Sequence, residues 1–575
     1  MANQLMRILF TNLKLPCPPS LPTSSDRELA YVYLSVSDFS ACSVRSNNIP
    51  LSDLSVFAME SLPSIVTRQN VELLHFVLIP LMAPGHLLPM VDMARLLARR
   101  NVKVTLVTTP LNAVRVKATI ERENQHCSSS SPIELRLFQF PSAEAGVPEG
   151  CESVDALTSM DVKMKFFKAL CKLQRPLEEL FETLTSPPPT CIISDRYVPS
   201  VASVAKKFQV PRIIFDGTNC FNLLCSHSLC SSKVYEKVSD SEAFVVPGLP
   251  HRIVLKKPQL PRTFNLRKHQ EIGDFIDEVR KTEKEAYGVV VNSFQELEAE
   301  YMKEYEKVTK QKIWCIGPVS LCNKDNLEKA QRGKNTESNN EKQSQQYLKW
   351  LDSWPARSVI YVCLGSLNCV PPEQLMELGL GLEASKRPFI LVLRGAYKRD
   401  EMEKLLKEDG LEERVKARGL IIRGWVPQVL ILSHKAIGSF LTHCGWNSTL
   451  EGICSGVPLI TFPLNAEQFF NEKVAVQLLE TGVKVGAETA INFGEEDKYG
   501  VQVKREKVKE AIEKVMDEDE ESERIRERAR NYAEKAKKAM QKGGSSWLNM
   551  SLLTEDIAQH VMGLKLNQPQ PSPNA

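Results

Sequence analysis

Residues 425–468 read WVPQVLILSHKAIGSFLTHCGWNSTLEGICSGVPLITFPLNAEQ, and their reading decides the fold. At the centre stands Thr442-His443-Cys444-Gly445-Trp446-Asn447-Ser448. The apolar run AIGSFL (436–441) before it has strand character, and STLEGI after it opens like a helix. Ser448 and Glu451 have the S-x-x-E spacing of a capping box. A strand therefore feeds a helix through a tight, glycine-containing turn. The first amides of such a helix lack partners and sit at the positive end of its dipole. That is a ready anion site, and a diphosphate suits it. His443, Asn447 and Ser448 each add a donor at the same spot. Taken as a turn alone, a plain strand–turn–helix with a satisfied cap accounts for these residues equally well.

Working outward, AIGSFL is one of a series of short apolar runs: SVIYVCLG (358–365), PFILVLR (388–394), GLIIRG (419–424) and PLITF (458–462). An earlier series comprises LLHFVLI (73–79), VKVTLVT (102–108), CIIS (191–194), RIIF (212–215) and GVVVNS (288–293). Helical patterns such as PMVDMARLLARR (89–100) and VASVAKKF (201–208) lie between them. The alternation predicts βαβ units and parallel sheets. A polar stretch, 321–346, separates the two series and reads as an exposed linker or loop. The expected fold class is α/β, with two domains facing each other across a cleft. Ligands in such sheets bind outside the carboxyl ends of the strands.

The 575-residue chain is long enough for more than one domain, and 43% hydrophobic with 25% charged residues is ordinary for a globular protein. A net charge of +3 is too mild for a nucleic-acid footprint. No apolar run has the length of a membrane span, so no transmembrane segment is expected. Fifteen cysteines without a C-x-x-C pair read as free thiols in a reducing compartment, and the expected location is cytoplasmic. Cys220, Cys225 and Cys230 beside His227 have spacings that do not suit a zinc clip and read as buried residues of a helix. Asp517-Glu518-Asp519 matches a D-x-D metal pattern but lies in an acidic, helix-like run, and reads as a solvated face.

Two groups are candidates for proton chemistry. His86, in Ala83-Pro84-Gly85-His86-Leu87-Leu88-Pro89-Met90, is placed on a loop at a strand's carboxyl end, just before a helix. Its ordinary pKa of ~6.5 suits a base near neutral pH, although a histidine in this position serves structure as readily. Asp195 ends the strand CIIS, where it reads as either an orienter for such a base or a helix-capping aspartate.

The whole stretch 425–468 resembles the signature box of plant UDP-dependent glycosyltransferases, the family 1 enzymes that glucosylate small molecules. Trp425, Gln428, His443, Gly445, Trp446, Asn447, Ser448, Glu451, Glu467 and Gln468 stand at that family's spacing, a far more specific match than a short glycine fingerprint. Outside the box, NSFQELE (292–298), WCIGPVSLCNK (314–324) and YVCLGS (361–366) resemble one plant clade, so the likeness spans roughly 71–560. The resemblance implies two Rossmann-like domains of the GT-B type, with His86 as catalytic base and Asp195 as its partner. It implies that Gly85, Ser366, Trp425, Val426, Gln428, His443, Gly445, Trp446, Asn447, Ser448, Glu451, Glu467 and Gln468 bind the UDP-sugar. Trp425 would stack on uracil and Gln428 meet the ribose. Glu451 would accept from the ribose hydroxyls or act as the capping-box partner. Glu467 and Gln468 would bond the sugar's hydroxyls. A closing glutamine goes with glucose in the family, and Trp446 fits a neutral hexose better than a glucuronate. The donor is then UDP-glucose, with no metal and no cofactor. One displacement would invert the α-linked donor to a β-O-glucoside of a flavonoid, triterpenoid, steroid or similar hydroxylated acceptor.

The implied domains are an extension over 1–70, an acceptor domain over 71–318, a linker over 319–346, a donor domain over 347–545, a closing helix over 546–564 that packs back on the first domain, and a disordered tail over 565–575. Residues 1–58 read as disordered, or as arising from a start site upstream of Met59. No heptad seam is visible, and a monomer is expected. Two departures from the family pattern stand out. Arg196-Tyr197-Val198-Pro199 replaces the usual Met-Cys-Leu-Pro, which sets a cation beside Asp195 to lower its pKa or compete with His86. Asp216 stands where the clade has histidine, and Asp216→His is expected to alter acceptor preference more than donor affinity. The acceptor pocket is expected to be an apolar lining with few polar groups. Alternative readings are a UDP-sugar-binding protein with weak or lost transfer, and another two-domain nucleotide-sugar enzyme.

Overall fold

In the computed structural model the described residues are 73–126, 131–264, 270–333, 340–365, 370–394 and 398–566. Runs of the earlier series become β1 (His75–Ile79), β2 (Lys103–Thr108), β4 (Cys191–Asp195) and β5 (Arg212–Asp216), and β3 (Ile133–Leu137), which no predicted run covers, falls between β2 and β4 in the chain. A small antiparallel pair, β6 (Ala243–Val245) and β7 (Val254–Lys256), precedes β8 (Gly288–Val291) and β9 (Lys312–Cys315). Seven of these make one parallel sheet in the order β3-β2-β1-β4-β5-β8-β9. The later series gives β10 (Val359–Cys363), β11 (Phe389–Leu393), β12 (Gly419–Arg423), β13 (Ile437–Thr442) and β14 (Leu459–Thr461), and a further strand that no predicted run covers, β15 (Gly482–Lys484), follows. These form a second parallel sheet, β12-β11-β10-β13-β14-β15.

The central strands are apolar along their whole length because helices cover both faces. Every residue of β1 and of β10 is buried. In each sheet the order reverses at a central strand: β1 lies between β2 and β4, and β10 between β11 and β13. The crevice at such a switch point is where α/β sheets bind ligands. His86 and Asp195 follow one switch point, and Gly365 and His443 follow the other.

The halves share an apolar core. Phe221, Leu224 and Cys225 of helix Cys220–Ser232 pack with Trp446, Leu450 and Ile453 of helix Trp446–Ser455 and with Ala536 and Ala539 of helix Glu520–Met540. The closing helix, Ser545–Leu566, returns to the first half, where Met550, Leu553 and Ile557 join Phe76, Leu78 and Val290 in one cluster.

Two expectations change. The polar stretch 321–346 is not an exposed linker where it is described. It carries helices at Asn326–Gln331 and from Asn340, Cys322 and Asn323 are buried, and the Arg332 side chain is 10% exposed because it reaches inward to two carboxylates. The acidic triplet at 517–519 lies between two helices rather than within one. Asp517 pairs with Arg387 and Asp519 caps helix Glu520–Met540 by accepting from Ser522 N. The extension over 1–70 lies outside the described residues, as does the tail beyond Leu566.

Candidate active site

His86 is not on a loop. The chain leaves β1 and turns straight into helix Pro84–Ala98, with Pro84 at its first position, so His86 sits in the first turn. Its Nδ1 lies 2.6 Å from Asp195 Oδ2, which leaves Nε2 as the ring nitrogen for the cavity that His86 lines. Asp195, the last residue of β4, is fully buried, and its Oδ1 accepts from Tyr197 N at 2.9 Å. Burial alone lowers the imidazole's pKa. The charge and hydrogen bond of Asp195, helped by the charges of Asp216 and Glu467, outweigh it and raise His86 above its usual 6.5.

Arg196 does not compete for Asp195. Its Nη1 donates to Asp216 Oδ2 at 2.9 Å, and its Nη2 lies 2.7 Å from Glu283 Oε1. The two departures from the family pattern thus meet each other. The wall they form is charged, so the cavity is not the plain apolar slot expected for an acceptor.

Across the cavity, β13 ends at Thr442 and the turn His443-Cys444-Gly445 leads into helix Trp446–Ser455. The capping box does not form: Gly445 is the cap residue, Ser448 lies inside the helix, and Glu451 faces other partners. The amides of Trp446, Asn447 and Ser448 consequently have no partner within the helix. Cys444 takes a left-handed φ of 65° to make the turn, and Asn471 Nδ2 donates to its carbonyl at 2.8 Å. Asn471 Oδ1 in turn accepts from Asn219 and Asn222 of the first half at 2.9 and 2.8 Å. A Cβ at Gly445 would collide with His443 Nε2, so any side chain there would push the imidazole from its place. His443 is held low, to about 4, first by burial and further by Arg394, against the Cys363 carbonyl. It is neutral near pH 7 and offers an N–H without a charge.

Several predicted ligands already have partners. Trp446 is 3% exposed and its Nε1 donates to Asn292 O at 2.8 Å, so its ring ties the two halves together at the border of the cavity. Asn447 Nδ2 donates across the cleft to Gly85 O at 2.5 Å. Glu451 Oε1 accepts from Arg332 Nη1 at 2.7 Å and Oε2 from Gln428 Nε2 at 2.8 Å. Gln428 Nε2 also reaches Ser448 Oγ at 3.0 Å. Gln468 Oε1 accepts from Leu464 N and Asn465 N, and Nε2 donates to Asn465 Oδ1, leaving one amide hydrogen for a ligand. Trp425 and Glu467 line the cavity, and Val426 is buried beneath it. Ser366 lies outside the described residues, one step beyond Gly365, whose φ is 85°.

The structure adds three residues that the sequence reading passed over. Arg394 follows β11 and lines the cavity near His443, and a basic residue at a strand's carboxyl end in the donor sheet was a usable signal. Arg332 and Asn292 carried none, since their partners Asp92, Glu451 and Trp446 are remote in sequence. The whole cavity measures about 1720 Å³. One-ligand sites span ~300–1,000 Å³, so this cavity has room for two.

Comparison with known proteins follows the same lines. A family model described as UDP-glucoronosyl and UDP-glucosyl transferase matches residues 154–535. UDP-glycosyltransferase 73C12 of Barbarea vulgaris is 50% identical over 489 residues, covering 84% of this chain and 97% of that protein. UDP-glycosyltransferase 73C3 of Arabidopsis thaliana is 48% identical over 495 residues, covering 86% and 98%. Among solved structures, UGT73P12 of Glycyrrhiza uralensis complexed with glycyrrhetinic acid 3-O-monoglucuronide superposes with a TM-score of 0.78 at 35% identity, covering 86% of this chain and 97% of that one. UGT2 of Phytolacca americana, complexed with UDP-2fluoro-glucose and pterostilbene, gives 0.64 at 25% identity, covering 84% and 100%.

Proposed function

Because the chain belongs to the UDP-glucoronosyl and UDP-glucosyl transferase family and is a glycosyltransferase of GT-B fold, we propose that it moves glucose from UDP-glucose to a hydroxyl of a small plant metabolite. The product is a β-O-glucoside and the configuration inverts. The observation that carries this reading is the His86–Asp195 contact of 2.6 Å on one wall of the cavity that also receives the unpaired amides of helix Trp446–Ser455.

The acceptor hydroxyl gives its proton to His86 Nε2. Asp195, bonded to Nδ1, fixes the ring and stabilises the imidazolium as it forms. The acceptor oxygen attacks the anomeric carbon from the face opposite UDP, and the bond from that carbon to the diphosphate oxygen breaks. The charge released on the diphosphate is met by the amides of Trp446, Asn447 and Ser448, by the neutral His443 ring and by Arg394. These donors are sufficient for a metal-independent departure. Glucose as the sugar rests on Glu467 and on the remaining amide hydrogen of Gln468, since the Trp446 ring nitrogen is already engaged by Asn292. An acceptor of flavonoid, triterpenoid or steroid size is consistent with the glycyrrhetinic acid 3-O-monoglucuronide and the pterostilbene complexed by the two neighbouring structures. We further place the protein in cytoplasmic secondary metabolism as a monomer. Among the described residues no helix is long and apolar enough to cross a membrane.

The test is incubation with UDP-glucose, a chelator and a mixed panel of such acceptors, read by mass spectrometry and by the anomeric coupling constant of any product. A one-hexose gain in the β configuration, reduced ~10²–10⁴-fold in His86→Ala, is expected. UDP binding without any product, or an α-linked product, would overturn the reading.

A further inference from the structure

Arg196 stands just past β4, Asp216 closes β5, and Glu283 lies in helix Gln270–Lys284, yet their three side chains converge on the acceptor wall of the cavity. One guanidinium faces two carboxylates there, at 2.9 Å and 2.7 Å. The side chains are 22%, 7% and 23% exposed, so each is largely out of water but opens onto the cavity. Arg196 Nε is buried without a partner, and Asp216 Oδ1 accepts only a long bond from Thr218 N at 3.2 Å. Of the other cations of that helix, Arg280 lies 3.2 Å from Asp277 and Lys281 3.4 Å from Glu278, while the charges of Arg280 and Arg212 also act on Glu283. The two carboxylates still carry more lone pairs than the donors that bond them. A buried ion pair of this kind adds little stability over apolar side chains of similar volume, so stability alone does not account for its place on a ligand wall.

We propose that Arg196, Asp216 and Glu283 form a specificity clamp that selects acceptors bearing a second oxygen function close to the reacting hydroxyl, that is, diols, catechols and other polyoxygenated skeletons over simple alcohols. A neighbouring hydroxyl donates to Asp216 Oδ1 or to Glu283, whose carboxylates border the cavity beside Arg196. A skeleton with one hydroxyl displaces water from those lone pairs without replacing its hydrogen bonds. The inference rests on the transfer reading, because His86 fixes where the reacting hydroxyl lies. The charge of Asp216 acts on His86, which puts the two groups in one neighbourhood.

The experiment uses two matched pairs: a flavonoid with a catechol ring and its single-phenol counterpart, and a triterpenoid diol and its mono-alcohol. For each pair, Kd is measured with UDP present by quenching of tryptophan fluorescence, and kcat/KM with UDP-glucose. The full chain is compared with Asp216→Asn and with the triple variant Arg196→Met/Asp216→Leu/Glu283→Gln. The second removes all three charges together, because leaving one partner of a buried pair is destabilising in itself. In the unaltered protein the polyoxygenated member of at least one pair is expected to bind about 10–100-fold more tightly, the worth of bonds to charged groups. In both variants the ratio should fall to within about threefold of unity, with the KM for UDP-glucose unchanged. A ratio near one in the unaltered protein, a ratio that survives both variants, or failure of every acceptor to bind overturns the clamp. If the ratio collapses as expected but no glucose is transferred, the clamp stands and the transfer reading falls.

Discussion

Asp195 controls the working range of His86. Burial lowers the imidazole's affinity for a proton, and Asp195, with Asp216 and Glu467 behind it, reverses the sign. The base must be neutral to accept the acceptor's proton, so activity is lost as pH falls through a midpoint above 6.5. Asp195→Asn removes the carboxylate charge and should move that acidic limb of kcat/KM to lower pH while reducing kcat by about 10²–10⁴-fold. An acidic limb that stays in place would show that another group is titrating. Gly445→Ala is the second test at this scale. The added Cβ meets the His443 ring, so the donor's KM or kcat should suffer by on the order of 10²-fold, as for a misplaced catalytic group, with little change in Tm. Much of this was legible beforehand, since His86, Asp195, His443 and Gly445 lie in short local patterns. The partner of Arg196 was not, because nothing in its neighbourhood of the chain reveals Asp216 twenty residues on.

Helices and turns carry the next set of consequences. Arg332, just past helix Asn326–Gln331, bridges Asp92 of the His86 helix and Glu451 of the Trp446 helix, at 2.7 Å each. Arg332→Met would strand two buried carboxylates and is expected to cost about 3–5 kcal/mol in denaturant unfolding, where a surface arginine would cost almost nothing. Trp446→Phe keeps an aromatic ring in the core but loses the bond to Asn292 O and part of the buried indole volume. It should lower stability by about 1–3 kcal/mol and leave the preference for glucose over glucuronate unchanged. A switch in sugar preference would restore the sugar-facing role expected from the sequence. Legibility at this scale followed burial. The interior strands of both sheets declared themselves as apolar runs. β3, with its polar IELRL, did not, because a strand that buries so little leaves no pattern, and neither did the short edge strands β9 and β15, although the edge strand β12 keeps an apolar run. The stretch around Arg332 looked solvent-borne for a related reason: it is buried by ion pairing, which leaves no apolar trace in the sequence.

At the scale of the molecule, the two halves meet through a shared apolar core and through polar ties on both sides of the cleft. Trp446 bonds Asn292, Asn447 bonds Gly85, and Asn471 bonds both Asn219 and Asn222. The relation of the acceptor wall to the diphosphate site is thereby set by packing. The closing helix adds a second fastening. Leu553 is completely buried in the first half's core, and Leu553→Ala is expected to cost about 2–5 kcal/mol, read as a lower denaturation midpoint. An effect below ~0.5 kcal/mol would mean the helix is not anchored there.

That fastening also has a bearing on how the protein is made. The strands of the first sheet are complete by Cys315, but the cluster around Phe76, Leu78 and Val290 receives Met550, Leu553 and Ile557 only after more than two hundred further residues. At ~5–20 residues per second, the ribosome leaves that apolar patch uncovered for tens of seconds. During that interval the first half exposes part of its own core, and helix Ser545–Leu566 is the piece that covers it.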